Sequence, residues 1–219
     1  MLKLRDTFIK EKFGKKEDWK NINEDQYVVS ELDEEALYKK MFPNEADLEA
    51  YYEYRKKWFT QGSTKTYGEK PLSINCEIVS TCNLACSMCY TISKKFQNSV
   101  VGAQRMMPWK ILTGIIDEAA REKIPSMSFS WRGESTLYRS YDENNNLKTF
   151  PDVLKYAREK GILEITCLTH GQLIDDKMAE AIVDAEPTWI NFSIDGLKKN
   201  YNNIRTPGNK FGTDHNAFQ

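Results

Sequence analysis

No stretch of the 219 residues is long and apolar enough to cross a bilayer, and the first ten, Met1-Leu-Lys-Leu-Arg-Asp-Thr-Phe-Ile-Lys10, lack the continuous apolar core of a signal peptide. A charge bias is missing too. Lys and Arg number 31 against 32 Asp and Glu, a net charge of -1, so the surface has no basic field to recruit nucleic acid or a membrane. Histidine is scarce: His170 and His215 are the only two. That scarcity leaves little for a Cys/His zinc module, which needs four ligands, commonly as two separated pairs. The five cysteines are odd in number and clustered, which argues against a disulfide framework and for a reducing, cytoplasmic compartment.

At this length the chain can bury one good core with a small extra subdomain. Residues 1–70 are rich in Lys, Glu, Asp and Tyr and poor in glycine, and they read as a helical N-terminal extension. A helix is expected over 45–59, with Asn44 as N-cap, Asp47 three residues later and Gly62 just past its end. Leu48, Tyr51, Tyr52, Arg55, Trp58 and Phe59 give it an aromatic-rich face. Packing of that face on the main domain is the simpler reading, and a dock for a substrate or partner is the alternative. A second short helix over 31–42 would end at Pro43.

From Pro71 the pattern changes. Leu72, Ile74, Cys76 and Ile78 alternate with polar residues, as in a strand with one apolar face. Met127, Phe129 and Trp131 alternate with Ser126, Ser128 and Ser130 in a second strand. Third and fourth strands are expected over 163–169 and 189–194. Helical spacing separates them: Ile111, Leu112, Ile115, Ile116 and Ala119 after Pro108, then 151–160 closed by Gly161, then 174–185. Strands alternating with helices imply an α/β fold on a parallel sheet. Ligands of such folds sit at the carboxyl ends of the strands. Four polar motifs fall there: the cysteine loop, Gly133-Glu134, Thr169-His170-Gly171, and Ser193-Ile194-Asp195-Gly196.

The loop after the first strand, Cys82-Asn83-Leu84-Ala85-Cys86-Ser87-Met88-Cys89-Tyr90, holds three of the five cysteines within eight residues, spaced C-x3-C-x2-C. Three thiolates from one loop can hold a metal centre and leave it one ligand short. Zinc would want a second pair that the chain does not supply. Core packing would not need such tight spacing in a turn. An iron–sulfur cluster fits best, with one iron left open. Cys76 and Cys167, inside strands, read as small core residues.

This loop resembles the signature of the radical S-adenosylmethionine (SAM) superfamily, and the likeness extends over about residues 71–210. It implies a partial (βα) barrel, with about four of six units in residues 71–219. Cys82, Cys86 and Cys89 would then ligate a 4Fe–4S cluster whose open iron binds SAM. Reductive cleavage of SAM would give a 5′-deoxyadenosyl radical that abstracts a substrate hydrogen, with an electron donor such as flavodoxin or ferredoxin as partner. Arg132-Gly133-Glu134 resembles the Gly-Gly-Glu motif that receives the SAM amino group, a task that suits a carboxylate. Met88 stands where relatives contact adenine, and Tyr90 is a frequent aromatic beside it. Thr169-His170-Gly171 resembles Thr-Asn-Gly, with histidine in place of asparagine. His170 reads as a hydrogen-bonded structural residue ahead of a catalyst. Ser193 and Asp195 resemble Ser-x-Asp-Gly, whose side chains reach the SAM ribose or carboxylate, although Asp195-Gly196 also suits a simple turn. Arg205, in Tyr201-Asn-Asn-Ile204-Arg205, is a candidate contact to the SAM carboxylate or the substrate.

The resemblance leans towards the SPASM, peptide-modifying or maturase-like branch. Composition gives no preference between a peptide, a sugar or a small metabolite as substrate. No fifth strand is legible after residue 208, so the barrel reads as truncated at its C-terminal side. A cluster-binding but catalytically incomplete fragment or scaffold is the alternative function.

Overall fold

The computed structural model describes residues 38–99, 105–196 and 199–205. The chain divides into two compact units, Met1–Tyr67 and Gly68–Gln219.

In the first unit a helical turn ends at Met41, just before Pro43, and α1 spans Glu45–Thr64. The rest of the helix expected over 31–42 lies outside the described residues. Asn44 caps α1 as its sequence predicts: its side chain accepts from the Ala46 amide at 2.9 Å. The C-terminus differs from expectation. Gly62 lies within α1, and Lys65, in the left-handed region at φ 53°, closes the helix by donating its amide to the Gln61 carbonyl. Tyr51 and Tyr54 are the buried residues of α1. Phe42 stacks on Tyr51 with ring centroids 4.7 Å apart, and Tyr38 leans on the same ring at 5.3 Å. The helix therefore packs its aromatic face at least partly within its own unit.

The second unit is built on β1 (Ser73–Asn75) and β2 (Ser126–Ser128), an antiparallel hairpin of β3 (Arg139–Tyr141) and β4 (Leu147–Thr149), then β5 (Glu164–Thr169) and β6 (Trp189–Phe192). The main sheet has the order β1-β2-β5-β6, and every neighbouring pair is parallel. Spatial order follows chain order without reversal, which is how strands run in a barrel rather than in a doubly wound sheet. All four strands of the sheet expected from sequence are present. The hairpin was not expected: the polar run Asp142-Glu-Asn-Asn-Asn146, read as an insertion, is its turn, with Asp142 Oδ1 accepting from the Asn144 and Asn146 amides.

Between the strands run α2 (Lys94–Gln97), α3 (Trp109–Arg121), α4 (Phe150–Glu159) and α5 (Asp176–Asp184), and α6 (Lys199–Ile204) follows β6. Pro108 stands as N-cap of α3 rather than inside its first turn. Period-2 and period-3.6 patterns meet in one core. Met127, Phe129, Ile165 and Cys167 from the sheet pack with Leu112, Ile116 and Ala119 of α3 and Val153, Leu154 and Ala157 of α4. Cys76 and Cys167 are 5% and 1% exposed, core residues as expected. Full burial of each large apolar side chain contributes about 1.5–3 kcal/mol.

The opposite face of the sheet is polar. Register aligns Ser73, Ser126 and Glu164 in one row, and Asn75, Ser128, Thr166 and Trp189 in the next. In a filled barrel these layers would be branched aliphatics. Here they are mostly hydroxyl, amide and carboxylate side chains, and Ser126 donates to the buried Glu164 carboxylate at 3.1 Å.

Candidate functional site

The four polar motifs gather at the carboxyl ends of β1, β2, β5 and β6, and hydrogen bonds join them. The segment leaving β1 is fixed first. The Met107 amide donates to the Ile78 carbonyl at 2.9 Å, and the Ser80 amide to the Arg105 carbonyl at 2.7 Å. On the other side lies Gly133, at φ +67°; a Cβ there would stand 2.5 Å from the Val79 carbonyl oxygen and 2.6 Å from that of Thr81. Only glycine allows that approach. The Glu134 amide then donates to the Thr81 carbonyl at 2.8 Å, one residue before Cys82.

The cysteine loop is organised by its own backbone. Cys82 Sγ accepts from the Leu84 amide at 3.3 Å, and the Cys89 amide donates to the Cys86 carbonyl at 2.9 Å. Leu84 and Cys86 are buried at 6% and 8% exposure, while Met88 and Tyr90 stand out at the lip. Cys89 Sγ lies 2.9 Å from the Thr91 hydroxyl. The Ser87 amide reaches the Ile204 carbonyl at 3.2 Å, tying the loop to α6. Burial pushes the Cys82 thiol up to about 12 and also raises that of Cys86. Metal binding must therefore displace protons from neutral thiols.

Among the described residues, no three His, Cys, Asp or Glu side chains stand close enough to share one metal ion. A tetrahedral zinc needs its donors within about 4 Å of one another. A cubane spreads its thiolates over separate irons, so its ligands need not meet at a point. Three thiol donors on one loop, spaced C-x3-C-x2-C, suit the irons of such a cluster.

Glu134 is 2% exposed, and its carboxylate is taken up within the protein. Oε1 accepts from the Thr136 amide at 3.2 Å, the Thr136 hydroxyl at 2.7 Å and the Thr169 hydroxyl at 2.5 Å. Oε2 accepts from the His170 amide at 3.0 Å. Thr169 also accepts from the Gly171 amide at 3.0 Å. Of the predicted site residues, Glu134 and Thr169 are thus joined to each other. Asp195 and Arg205 are likewise joined, Arg205 Nε donating to Asp195 Oδ2 at 2.6 Å. Ser193 is half-buried beside Thr169, to whose carbonyl its amide donates at 2.8 Å.

Arg132, at the position of the motif's first glycine, pairs with Glu77, two residues past β1, and lies over the Phe96 ring at 5.4 Å. Phe96 in turn meets Tyr90 edge-on at 5.5 Å. Asn83 Oδ1 lies 2.8 Å from His170 Nε2; sequence reasoning missed this contact and the Arg132 clamp, because their partners are far apart in the chain.

A family model described as the radical SAM superfamily matches residues 76–213. The chain belongs to the radical SAM superfamily. Its fold is that superfamily's partial barrel, and its cofactors are a 4Fe–4S cluster and SAM. Two curated relatives fit this membership. Fe-coproporphyrin III synthase of Methanosarcina barkeri is 29% identical over 126 residues, which are 57% of this chain and 27% of that protein. The serine-type anaerobic sulfatase-maturating enzyme of Bacteroides thetaiotaomicron is 31% identical over 150 residues, 65% of this chain and 33% of that protein. The chain thus spans about a third or less of the curated relatives it matches. A solved structure described as native anSMEcpe with bound AdoMet is 24% identical, with a TM-score of 0.46 over 62% of this chain and 35% of that one. Both curated relatives are named as enzymes, one a synthase and the other a maturating enzyme.

Proposed function

We propose that the protein is a radical SAM enzyme whose Cys82, Cys86 and Cys89 thiolates hold the cluster. The observation that carries this reading is the three-cysteine loop seated between β1 and the Gly133-Glu134 turn, at the carboxyl ends of a parallel sheet. Held there, the cluster and SAM would supply reductive one-electron chemistry, with an external electron donor, and hydrogen-atom abstraction from the substrate.

The chain's own residues bind, orient and exclude water. Met88 and Tyr90, exposed on the lip, would be the apolar contacts for adenine. Gly133 and Glu134 would receive the SAM amino group, with the Glu134 carboxylate held in orientation by Thr136, Thr169 and the His170 amide. Thr169 acts from the same network, and Ser193 with the paired Asp195 and Arg205 would serve the SAM ribose and carboxylate. The polar side chains of Asn75, Ser128 and Thr166, on the face of the sheet opposite the core, suit a substrate that hydrogen-bonds, whether a peptide, a sugar or a small metabolite. An electron donor of the flavodoxin or ferredoxin type and a reducing cytoplasmic setting complete the reading. No helix among the described residues is long and apolar enough to cross a membrane.

The test is anaerobic reconstitution of the full-length protein with iron and sulfide, then dithionite and SAM. Visible absorption of a 4Fe–4S cluster and stoichiometric methionine and 5′-deoxyadenosine are expected. A full-length protein that takes up no iron overturns the proposal.

A further inference from the structure

His170 replaces the asparagine of the third-strand motif, and its ring is buried, with the side chain 3% exposed. Both nitrogens have defined partners. Nδ1 lies 3.1 Å from the Gln172 amide, which can only donate, so Nδ1 carries no proton. The ring is therefore the neutral tautomer with its proton on Nε2. That proton points to Asn83 Oδ1 at 2.8 Å, with Glu134 Oε2 3.3 Å away on the same side. Asn83 stands between Cys82 and Cys86.

We propose that His170 is a positioning residue for the cysteine loop. Its backbone amide is held by Glu134 and its Nδ1 by the Gln172 amide, and from there Nε2 reaches the one polar side chain between the first two cysteines. The role as it concerns a cluster rests on the function proposed above; the holding of the loop does not. An asparagine at position 170 offers an acceptor at about the depth of Nδ1 and falls short of Asn83. A glutamine amide reaches about as far as Nε2. The two substitutions separate the contact to Asn83 from the contact to Gln172.

The experiment uses the full-length protein and the variants His170→Gln, His170→Asn, His170→Ala and Asn83→Ala. In metal-free protein, iodoacetamide labelling of Cys82 and Cys86 is followed by peptide mass spectrometry. Labelling is expected to speed up in the Asn and Ala variants and in Asn83→Ala, and to stay near the parent rate in His170→Gln. In reconstituted protein, iron loss to a chelator is expected to accelerate about 10–100-fold in the same three variants, as for other partners that orient metal ligands, and glutamine is expected to restore retention. A general loss of fold would speed labelling at Cys76 and Cys167 as well, whereas loosening of the loop leaves those two unreactive. Labelling that does not change in any of the four variants overturns the proposal, even if the parent binds iron. A parent that binds no iron, with labelling changed as expected, overturns the cluster function and leaves His170 as the loop's support.

Discussion

The Glu134 amide donates to the Thr81 carbonyl at 2.8 Å, so the end of β2 is sewn to the residue that leads into Cys82. Gly133 makes this possible, since any Cβ would press on the carbonyls of Val79 and Thr81. Those neighbours are backbone and cannot swing away.

Gly133→Ala should therefore be severe. The residue would pay both the left-handed penalty and the clash, with strain alone of about 1–3 kcal/mol. Expected outcomes are a lowered urea midpoint and loss of iron uptake. An alanine variant with parental stability and parental iron content would show that the turn can relax.

Cys86→Ala removes one of three thiolates. Two that remain cannot hold a cubane, so iron content after reconstitution should fall to background. Cys86 is 8% exposed, and loss of its sulfur also opens a small cavity. Circular dichroism of the metal-free variant separates the two effects, because the fold should survive where cluster binding does not.

Much of this arrangement is legible in the sequence because it is local. Met127 and Phe129 alternate with serines, and Ile165 and Cys167 follow the same two-residue period, so the strands and their buried face can be read directly. Asn44 announces the start of α1 by its type. The end of α1 is harder. Gly62 looks like a stop, but a glycine inside an exposed helix costs only about 1 kcal/mol, and Lys65 takes the left-handed cap instead. The hairpin is hidden because β3 and β4 have three residues each and no apolar alternation. The Glu134–His170–Asn83 network is hidden for another reason: its partners lie 36 and 87 residues apart, and nothing local marks one as belonging to another.

Asp152 offers a stability prediction away from the site. Its Oδ2 accepts from the Thr149 amide at 2.7 Å and from the Thr149 hydroxyl at 2.8 Å, closing the entry of α4 directly after the hairpin. Asp152→Ala should cost about 0.5–2 kcal/mol, read as a lowered urea midpoint, without changing iron uptake. Asp152→Asn, which still accepts through its amide oxygen, should recover part of the loss.

Alkaline pH should weaken the metal-free fold before it affects most proteins of this size. Burial raises the thiols of Cys76 to about 11 and of Cys82 and Cys167 to about 12, from an ordinary value of 9.0. It also raises the Tyr138 phenol from 10.0 to about 12. Below pH 9 these groups are neutral in both folded and unfolded chains, and their contribution to stability is fully present. Above it the unfolded chain releases protons that the folded chain keeps, so stability falls as pH rises towards the folded values. Each such group removes at most about 1.4 kcal/mol per pH unit in that window. Urea midpoints of metal-free protein should decline between about pH 9 and about pH 11. The decline should be shallower in Cys167→Ala, which removes one buried thiol from a strand position that is 1% exposed. A midpoint that stays level over this range would mean that the buried thiols ionise as readily in the fold as in the open chain.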